Sequence, residues 1–570
     1  MTFPDTTFTT GTTITSNWLN AVNDVCVDTE GFVSVLSFGA VGNGTTDDSA
    51  AFNAANASLA GAIYVPEGTY ILDGVTINGK KLFGPGTLKW KSGVVGTTPM
   101  LTLASGACLD GLTLDGNKTA NASIVATFST LVYVTGRGTR ITNCNFFQVP
   151  STCVLTPASS DGETGSDLFI DGCYIKNTNK YCFVFRSNRC NISNCTFFGT
   201  GINDGHAIRY GIYNTDNIAF PGCKVVGGSV IGCNFKYVNS GACLFEWNSY
   251  NITFTGNSSS YTTGIKCEYQ PGEESHGIVI TGNYFEYCRF YPIIYNEATE
   301  TATLGTNANS RFAIAGFNCS FSNNVMFEGP GIFLGNGSVA VGNLLKDCGT
   351  AALGSLIATS ENGSVAGFHS NTVLPRPTDN PATIVALSSG SAIGNNIKGV
   401  AGQTTYGFNV QNTNNIVMGN HVDTSTYAFR TISTVTNSFF TGNTFANISG
   451  QAYFPNNGTE TLVIDNPGSP NLYVPNQTIS SGIVTIDGGF KRLRVDTEGA
   501  AATDDLNTIS GGYIGQYLTL NQTANSRDVT VKTGTGNISL TGGDFTIGTT
   551  TRTITLFYDG STWNEVARTA

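Results

Sequence analysis

The chain is poor in charged residues, and this shortage limits the functions that it can have. Only 12% of its 570 residues are Asp, Glu, Lys or Arg, and its formal net charge is −11. So few cations leave no basic stripe that could neutralise phosphates, which argues against nucleic acid as a partner. No apolar run reaches the ~18 residues of a membrane span, and the first residues lack a secretory-signal pattern, so membrane insertion is not expected.

Patterns for disulfides, metals and cofactors are also missing. The 15 cysteines are an odd number, and they form neither a compact disulfide framework nor paired C-x-x-C zinc knuckles. The sequence has no P-loop, nucleophile elbow or HExxH motif. We therefore expect mostly free, buried thiols, synthesis in a reducing cytosol, and neither a metal nor a cofactor.

A short repeat runs through the middle of the chain. It reads apolar, any residue, Gly or Asn, then Asn or Cys, and its fourth position is Cys144, Cys173, Cys195, Cys233, Asn257, Asn283, Asn324, Asn343, Asn371, Asn395, Asn420, Asn443 and Asn466. The spacings lie between 19 and 41 residues, mostly near 24, which predicts a parallel β-helix. The fourth position would stack on itself at ~4.8 Å, with Asn forming a ladder and Cys filling the same place.

The repeat and its loss divide the chain. Residues 31–473 are predicted to form the β-helix, with residues 31–130 as its first, less regular coils. Residues 474–570 alternate apolar and polar residues between glycines, which predicts an antiparallel β-sandwich. The predicted fold class is therefore all-β.

The stretch GNGTTDDSAAFNAAN (42–56) contains two adjacent carboxylates, Asp47 and Asp48, before a helix-compatible segment. Thr46 or Asp47 could cap the first helical turn, and a second acid there would complement the helix dipole. The apolar face of that helix is expected to hold Ala51, Phe52, Ala55 and Leu59. The pair therefore indicates a helix that closes the first coil, rather than a catalytic dyad.

Several segments resemble a known family. FGAVGNGTTDDSAAFNAAN followed by IYVPEGTYIL resembles the opening signature of pectate-lyase-like right-handed β-helix proteins. TTFTTGTTITSNWLNAVNDV resembles the short N-terminal segment of bacteriophage tailspike depolymerases, and LFYDGSTWNEVAR resembles the C-terminal sandwich that many of them carry.

That resemblance implies a homotrimer that belongs to a phage tail and cleaves a bacterial surface polysaccharide, a capsule or O-antigen. It implies synthesis in the bacterial cytoplasm and action at the host cell surface. Residues 1–30 would dock onto another virion tail protein, and residues 474–570 would supply trimer contacts or bind carbohydrate.

Residues 195–324 are the expected position of the functional site. The two longest repeat intervals, 38 and 41 residues, lie there and predict loops that could wall a groove. Of the 22 tyrosines, 10 lie in residues 208–295, and aromatic rings stack on sugars. The predicted substrate-binding residues are Asp204, His206, Arg209, Tyr210, Trp247, Tyr269, Tyr295 and Glu297.

Two strand carboxylates, Glu246 and Glu268, are the predicted catalytic pair. Cys243 and Cys267 both lie ten residues after a repeat anchor, so aligning these cysteines places the two glutamates outward on consecutive coils. Their backbones would be roughly 8 Å apart, which suits an inverting pair of carboxylates and does not exclude a retaining one. The expected reaction is hydrolysis of glycosidic bonds inside the polysaccharide.

Two alternatives stay open. The segment GINDGHAIRYGIYNTD (201–216) would suit a polysaccharide lyase, in which Tyr or His removes a proton beside a uronate carboxylate and Arg neutralises the acid. The chain could also be a non-catalytic adhesin or fibre that binds glycan.

Overall fold

The computed structural model describes residues 31–94, 98–122, 129–200, 206–211, 223–239, 241–246, 248–267, 275–288, 291–307, 311–314, 317–329, 331–348, 356–359, 365–377, 382–431, 435, 438–450, 453–454, 462–464, 476–486, 491–512 and 514–569. The chain divides into two compact units. One holds residues 1–278 and 291–306, and the other holds residues 279–290 and 307–570. The predicted attachment segment 1–30 lies outside the described residues. In the part of the chain just specified, no helix is long and apolar enough to cross a membrane.

The described strands of the first unit form three parallel sheets, and each coil adds strands to them in turn. The first sheet contains Phe32–Ser34, Ala62–Tyr64, Lys81–Phe83, Cys108–Asp110, Arg140–Thr142, Phe169–Asp171, Cys190–Ser193, Gly228–Ile231 and Thr253–Thr255. The second sheet contains Asn43–Asp47, Thr69–Leu72, Thr87–Trp90, Thr113–Asp115, Asn145–Phe147, Tyr174–Lys176, Thr196–Thr200, Asn234–Val238 and Ser258–Thr262. The third sheet contains Val75–Ile77, Leu101–Leu103, Thr130–Val134, Thr152–Leu155, Phe183–Phe185, Ile208–Tyr210, Cys243–Phe245 and Ile265–Cys267.

Shorter elements complete the first unit. Val225–Val226 pairs with Ser249–Tyr250. Tyr291–Asn296 and Thr301–Asn307 form a separate two-stranded sheet, called the 291–307 hairpin below. The helices are a 3-10 turn, Val35–Phe38, and an α-helix, Ser49–Ala57.

The second unit repeats the three-sheet pattern. Its first sheet contains Val279–Thr281, Ser320–Ser322, Val339–Val341, Val365–His369, Ser389–Ile393, Asn415–Met418, Phe439–Thr441 and Leu462–Ile464. Its second sheet contains Tyr284–Glu286, Val325–Phe327, Leu344–Cys348, Thr372–Pro375, Asn396–Lys398, His421–Ser425 and Thr444–Ile448. Its third sheet contains Arg311–Ile314, Gly331–Leu334, Ile357–Thr359, Thr383–Leu387, Tyr406–Val410, Tyr427–Thr431 and Tyr453–Phe454. Three parallel sheets built coil by coil are the predicted parallel β-helix.

The C-terminal strands have a different arrangement. One sheet contains Asn476–Thr478, Arg492–Asp496, Tyr517–Gln522, Ile554–Tyr558, Trp563–Arg568 and Ile538–Ser539. The other strands are Thr503–Leu506, Asp528–Val531 and Phe545–Ile547 in one sheet and Ile483–Thr485 with Thr508–Ser510 in another, and Glu498–Ala500 is a 3-10 turn. Their apolar faces enclose a separate core that includes Trp563.

The expectation of a wholly antiparallel sandwich is wrong in part. The strand Tyr517–Gln522 pairs antiparallel with Ile554–Tyr558 but parallel with Arg492–Asp496. Turn spacing reveals strands, but it does not reveal which strands become neighbours, so the sequence could not fix their direction.

A ladder of buried asparagines confirms the predicted stacking of the repeat position. The Oδ1 of Asn371 accepts hydrogen bonds from the backbone N–H of Asn343 at 3.0 Å and from its Nδ2 at 2.8 Å. Asn371 in turn donates to Asn395 and to the carbonyl oxygen of Ala340. The same pattern joins the consecutive asparagines from Asn283 to Asn443. Asn466 lies outside the described residues.

The residue before each ladder position accounts for the third position of the repeat, which is usually Gly or Asn. This residue has a φ between 52° and 66° in every described coil: Asn143, Gly172, Asn194, Gly232, Gly256, Gly282, Asn323, Gly342, Ser370, Gly394, Gly419 and Gly442. Glycine adopts this left-handed conformation freely, and Asn tolerates it better than most residues. One such residue turns the chain from the first sheet into the second.

The carboxylates of the opening stretch belong to the framework. Asp47 accepts the backbone N–H of Ser49 at the start of the helix and pairs with Lys91 at 2.9 Å. The Ser49 hydroxyl, followed by Lys91, lowers the pKa of Asp47 to about 2. The Asp48 carboxylate accepts the backbone N–H groups of Val41 and Gly42. The N-cap residue is thus Asp48, whose side chain makes no capping bond, and the predicted side-chain contact with the first turn is the one from Ser49 to Asp47.

The helix face is confirmed with one exception. Ala51, Phe52 and Ala55 are buried, and the Phe52 ring contacts that of Tyr70 in the first coil. Leu59 is fully exposed, because the helix ends at Ala57. The prediction that Leu59 shares the buried face is therefore wrong.

Four charged residues form an ion-pair network where the chain passes from the third sheet to the first. Arg189 donates to both carboxylate oxygens of Glu163, at 2.9 and 2.6 Å, and to Asp167 at 2.6 Å. Arg137 donates to Asp167 at 2.7 Å. Hydrogen bonds from Arg189 hold the pKa of Glu163 and that of Asp167 at about 2.

Replacing one ladder residue should destabilise the β-helix. In Asn371→Ala, the N–H and Nδ2 of Asn343 lose their acceptor inside the core, which costs about 1–3 kcal/mol of unfolding free energy. Denaturant unfolding of the variant measures the loss. Asn396→Ala, at an exposed position of the next coil, is the control and should change stability little. Equal losses in the two variants would contradict a role for the ladder.

Removing Arg189 should make the stability of the fold depend less on pH in the acid range. Carboxylates with lowered pKa stabilise the fold above their unfolded pKa of about 4, and this stabilisation is lost as the pH falls towards 2. Arg189→Gln should therefore lower the thermal unfolding midpoint at neutral pH, and the difference from the wild type should shrink towards pH 2. A difference that stays constant from pH 7 to pH 2 would contradict this account.

Candidate active site

In the coils that carry the predicted site, the outward face of the third sheet is shielded from solvent. Val184, Arg209 and Leu244 lie opposite one another on consecutive strands, each between residues that face the core. Their exposed fractions are only 2%, 1% and 4%. An outward charged side chain such as Arg209 is therefore held in a nearly closed environment.

Arg209 forms an ion pair with Glu246 there. The Nε and Nη2 of Arg209 both contact Oε2 of Glu246, which is 6% exposed and directly follows the strand Cys243–Phe245. The Cζ of Arg209 also lies 5.1 Å from the centroid of the Tyr181 ring. Two charges taken out of water are tolerated only in good geometry, so this pair fixes the position of the carboxylate.

His206 and Tyr181 complete the cluster. Their rings stack with centroids 6.5 Å apart and planes 8° apart, at matching positions of consecutive coils. Gly241 lies next to them with a φ of 144°. A Cβ on Gly241 would come within 2.7 Å of the Gly264 carbonyl oxygen and 3.0 Å of His206 Cδ2, so only glycine leaves room for the stack.

Tyr181 was not among the predicted site residues, because it precedes residues 195–324, where the long repeat intervals placed the site. The signal was nevertheless in the sequence. Tyr181 stands two residues before the strand Phe183–Phe185, just as His206 stands two residues before Ile208–Tyr210. Aligning these two strands brings the two rings together.

Tyr210 is a core residue, so its predicted contact with substrate is wrong. Its hydroxyl donates to the carbonyl oxygens of Cys190 at 2.8 Å and Ser229 at 3.3 Å. Burial raises the pKa of Tyr210 well above its usual value. The reason is strand alternation: Arg209 faces outward, so its neighbour Tyr210 must face the core.

The alignment of Cys243 with Cys267 is also wrong, although both are buried as predicted. Cys243 lies opposite Ile265, and Cys267 lies opposite Phe245. In the second sheet, Val238 lies opposite Thr262, as counting from the ladder predicts. The turn from Thr262 to Ile265 is two residues shorter than the turn from Val238 to Cys243. The estimate of roughly 8 Å for the carboxylate separation therefore no longer holds.

Four predicted residues lie outside the described residues. They are Glu268 of the catalytic pair and the substrate-binding candidates Asp204, Trp247 and Tyr269.

The 291–307 hairpin holds the remaining two candidates. Tyr295 is 8% exposed, and its ring lies 5.7 Å from that of Tyr237 and 5.9 Å from that of Phe198. Burial, and then the charges of Glu300 and Glu297, raise the pKa of Tyr295 to about 12. The structure thus brings Tyr295 to an aromatic cluster at the end of the second sheet.

Glu297 and Glu300 attach the hairpin to earlier coils. Glu297 pairs with Lys118, and Glu300 pairs with Lys176 at 2.5 Å. Glu297 therefore lies in an ion pair at the second sheet, whereas Glu246 forms its ion pair with Arg209 at the third sheet.

The cluster offers groups for acid–base chemistry. It brings a carboxylate, an imidazole, a phenol and a guanidinium together on the outward side of the third sheet, with Tyr181 and His206 just before its strands and Glu246 directly after one. An ion-paired carboxylate suits a base or nucleophile better than an acid. Within the described residues, no group of three or more His, Cys, Asp or Glu side chains could hold a metal ion.

Breaking the ion pair on one side should destabilise the protein. Glu246→Gln removes the carboxylate charge that pairs with the buried Arg209, and breaking a buried pair on one side typically costs about 3–5 kcal/mol. Changing both residues, Arg209→Gln with Glu246→Gln, should recover a large part of that loss in a denaturant titration. If the double variant were as unstable as the sum of the two single variants, the pair would not be coupled.

Known families match both ends of the chain. Residues 32–229 match the family described as rhamnogalacturonase A/epimerase, pectate lyase-like. Residues 492–564 match the phage depolymerase C-terminal beta sandwich domain. These matches confirm the resemblance to phage tailspike depolymerases with a pectate-lyase-like β-helix. The first includes Tyr181, His206 and Arg209, and ends before Glu246. No curated protein matches the chain in sequence.

Solved structures with some similarity include tailspike protein 3 of bacteriophage CBA120, at 14% identity and a TM-score of 0.38, with 80% of this chain and 64% of that one covered. The A-module of mannuronan C-5 epimerase AlgE4 from Azotobacter vinelandii has 13% identity, a TM-score of 0.33, and coverage of 76% and 100%. The α-1,3-glucanase of Streptomyces thermodiastaticus strain HF3-3 has 14% identity, a TM-score of 0.34, and coverage of 77% and 69%.

Proposed function

We propose that this chain, which combines a pectate-lyase-like β-helix with a phage depolymerase C-terminal domain, binds and depolymerises a bacterial surface polysaccharide, a capsule or an O-antigen. The observation that carries the proposal is the buried Glu246 carboxylate, fixed by Arg209 beside His206 and Tyr181. A carboxylate held in this way suits an attack on the polymer backbone.

Hydrolysis of glycosidic bonds is the reaction that we favour. Glu246, paired with Arg209, is assigned the role of base or nucleophile, and Glu268 is assigned the role of the acid that protonates the leaving oxygen. One structural relation supports this pairing. Phe245 lies opposite Cys267 on adjacent strands, and each of the two glutamates directly follows one of these residues in sequence.

A polysaccharide lyase is the second candidate. The stacked His206 and Tyr181 favour it, because either ring could remove a proton beside a uronate carboxylate. Arg209 could neutralise that carboxylate only by sharing its guanidinium with Glu246. Hydrolysis needs no such sharing, so we rank it first.

Assembly and location belong to the same proposal. We infer a homotrimer in the phage tail, attached to another virion protein through residues 1–30, with the C-terminal domain contributing trimer contacts. Trp563 is buried in the core of its own domain with Tyr558 stacked against it, so it is not open to a partner subunit. Trimer contacts therefore need other residues.

The activity test starts with a panel of purified capsular polysaccharides and O-antigens. Glu268→Gln and the double variant Arg209→Gln with Glu246→Gln should each lower kcat by about 10²–10⁴, the usual share of an acid or base. The exposed Glu67→Gln is the control and should keep full activity. Polymer length, product mass and near-ultraviolet absorbance are measured together.

Each result has a distinct meaning. Hydrolysis adds one water per cut and yields no new absorbance, whereas a lyase yields unsaturated, absorbing ends. Folded variants that cut as fast as the wild type would exclude Glu246 and Glu268 from catalysis. Wild-type protein that binds a polymer and leaves its length unchanged would indicate an adhesin.

A further inference from the structure

A column of left-handed residues lies at the end of the second sheet. Gln148, Asn177, Gly199, Tyr237 and Tyr261 occupy the same position on consecutive coils, and their φ angles lie between 51° and 59°. Glycine and Asn are the usual residues in this conformation. Two adjacent coils of this unit nevertheless use tyrosine, and the equivalent positions of the second unit hold Tyr287, Glu328 and Asp347.

Tyrosine is an unfavourable choice for the backbone at this position. A bulky side chain with positive φ is strained, whereas Gly at the same position, as in Gly199, carries no such cost. The strain persists only if the surrounding structure or the function requires the ring. The question is therefore what the rings of Tyr237 and Tyr261 contribute.

The hairpin extends these two rings into a row of three. The Tyr295 ring lies over Gly199, where a Cβ would come within 2.2 Å of it. The Tyr295 and Tyr237 ring centroids are 5.7 Å apart, and those of Tyr237 and Tyr261 are 5.4 Å apart. Tyr237 and Tyr261 are partly exposed, so ring surface is open to solvent. This spacing is comparable to the length of one sugar residue in a polymer.

Tyr295 also presents an unmet hydrogen bond. Its hydroxyl is buried, and no described residue bonds to it. Because its pKa is raised to about 12, the group is a neutral hydroxyl that can both donate and accept at physiological pH. Because this hydroxyl is closed to solvent, Tyr295 supports the row from inside, and the exposed ring surface belongs to Tyr237 and Tyr261.

We infer that Tyr237 and Tyr261, backed by the buried ring of Tyr295, form a glycan-stacking subsite, in which consecutive sugar rings pack on the two partly exposed tyrosine rings. The inference rests on the proposed function and names the surface that holds the polymer. Tyr237 and Glu246 belong to the same coil, with Glu246 further along the chain beyond the corner. The row of rings would therefore hold the polymer beside the carboxylate.

Tyr237→Gly tests the subsite with little backbone cost, because glycine favours the left-handed conformation. The matched control is Gln148→Gly, the same change of backbone freedom at the same position of another coil in this unit. The probe is the panel polysaccharide that the wild type shortens, together with its oligosaccharide products. Binding is measured by titration, KM and kcat by product release, and folding by the thermal midpoint.

Tyr237→Gly should raise Kd and KM by about five- to tenfold and leave kcat within about twofold, because the ring contacts sugar and not the reacting atoms. Tyr237→Phe keeps the ring and should bind like the wild type. Gln148→Gly should change neither constant. Tyr261→Gly should repeat the result for Tyr237→Gly.

Unchanged binding in both glycine variants would overturn the subsite while the proposed function stands. Weakened binding that appears only together with a lowered thermal midpoint, or equally in Gln148→Gly, would assign the rings to structure and overturn it too. A wild type that binds no polysaccharide of the panel would overturn the subsite and the proposed function together.

Discussion

The rest of the β-helix depends on one local constraint, a single left-handed residue followed by a buried side chain that bonds to its equivalent on the next coil. In Gly342–Asn343, the glycine turns the chain and the amide joins coils through Asn324 and Asn371. Because this turn has the same length in every described coil that carries it, the first and second sheets keep one register. The outward or inward direction of each side chain in those sheets follows from it.

The corner between the second and third sheets has no such constraint, and Tyr181 and His206 of the candidate site lie there. Between the second and third sheets, the turn after Val238 is two residues longer than the turn after Thr262. A corner whose length varies can hold side chains such as Tyr181 and His206 without disturbing the ladder. The rigid corner thus supports the variable one, an arrangement typical of functional sites on repeat scaffolds.

This difference explains what could be predicted from the sequence. The repeat predicted the β-helix and the amide ladder, and the opening stretch predicted the helix that closes the first coil, because each rests on local chemistry. The repeat could not predict the strand register of the third sheet. Counting from the ladder therefore placed Cys267 opposite the wrong residue, and Tyr210 was expected to face outward although it faces the core. Tyr181 was missed for the same reason, since only the register of the third sheet brings it to His206.

Stability alone does not account for two features near this corner. A buried pair such as Arg209–Glu246 can often be replaced by apolar residues at no loss of stability, and this chain contains few charges. Tyrosines at the left-handed positions 237 and 261 strain a backbone that glycine would relax. Where local rules are broken without a structural gain, function is the usual reason. The tyrosines lie at the end of the second sheet, and the ion pair lies on the third sheet, which follows it in each coil. A common role in holding and cutting a polymer explains the two features together.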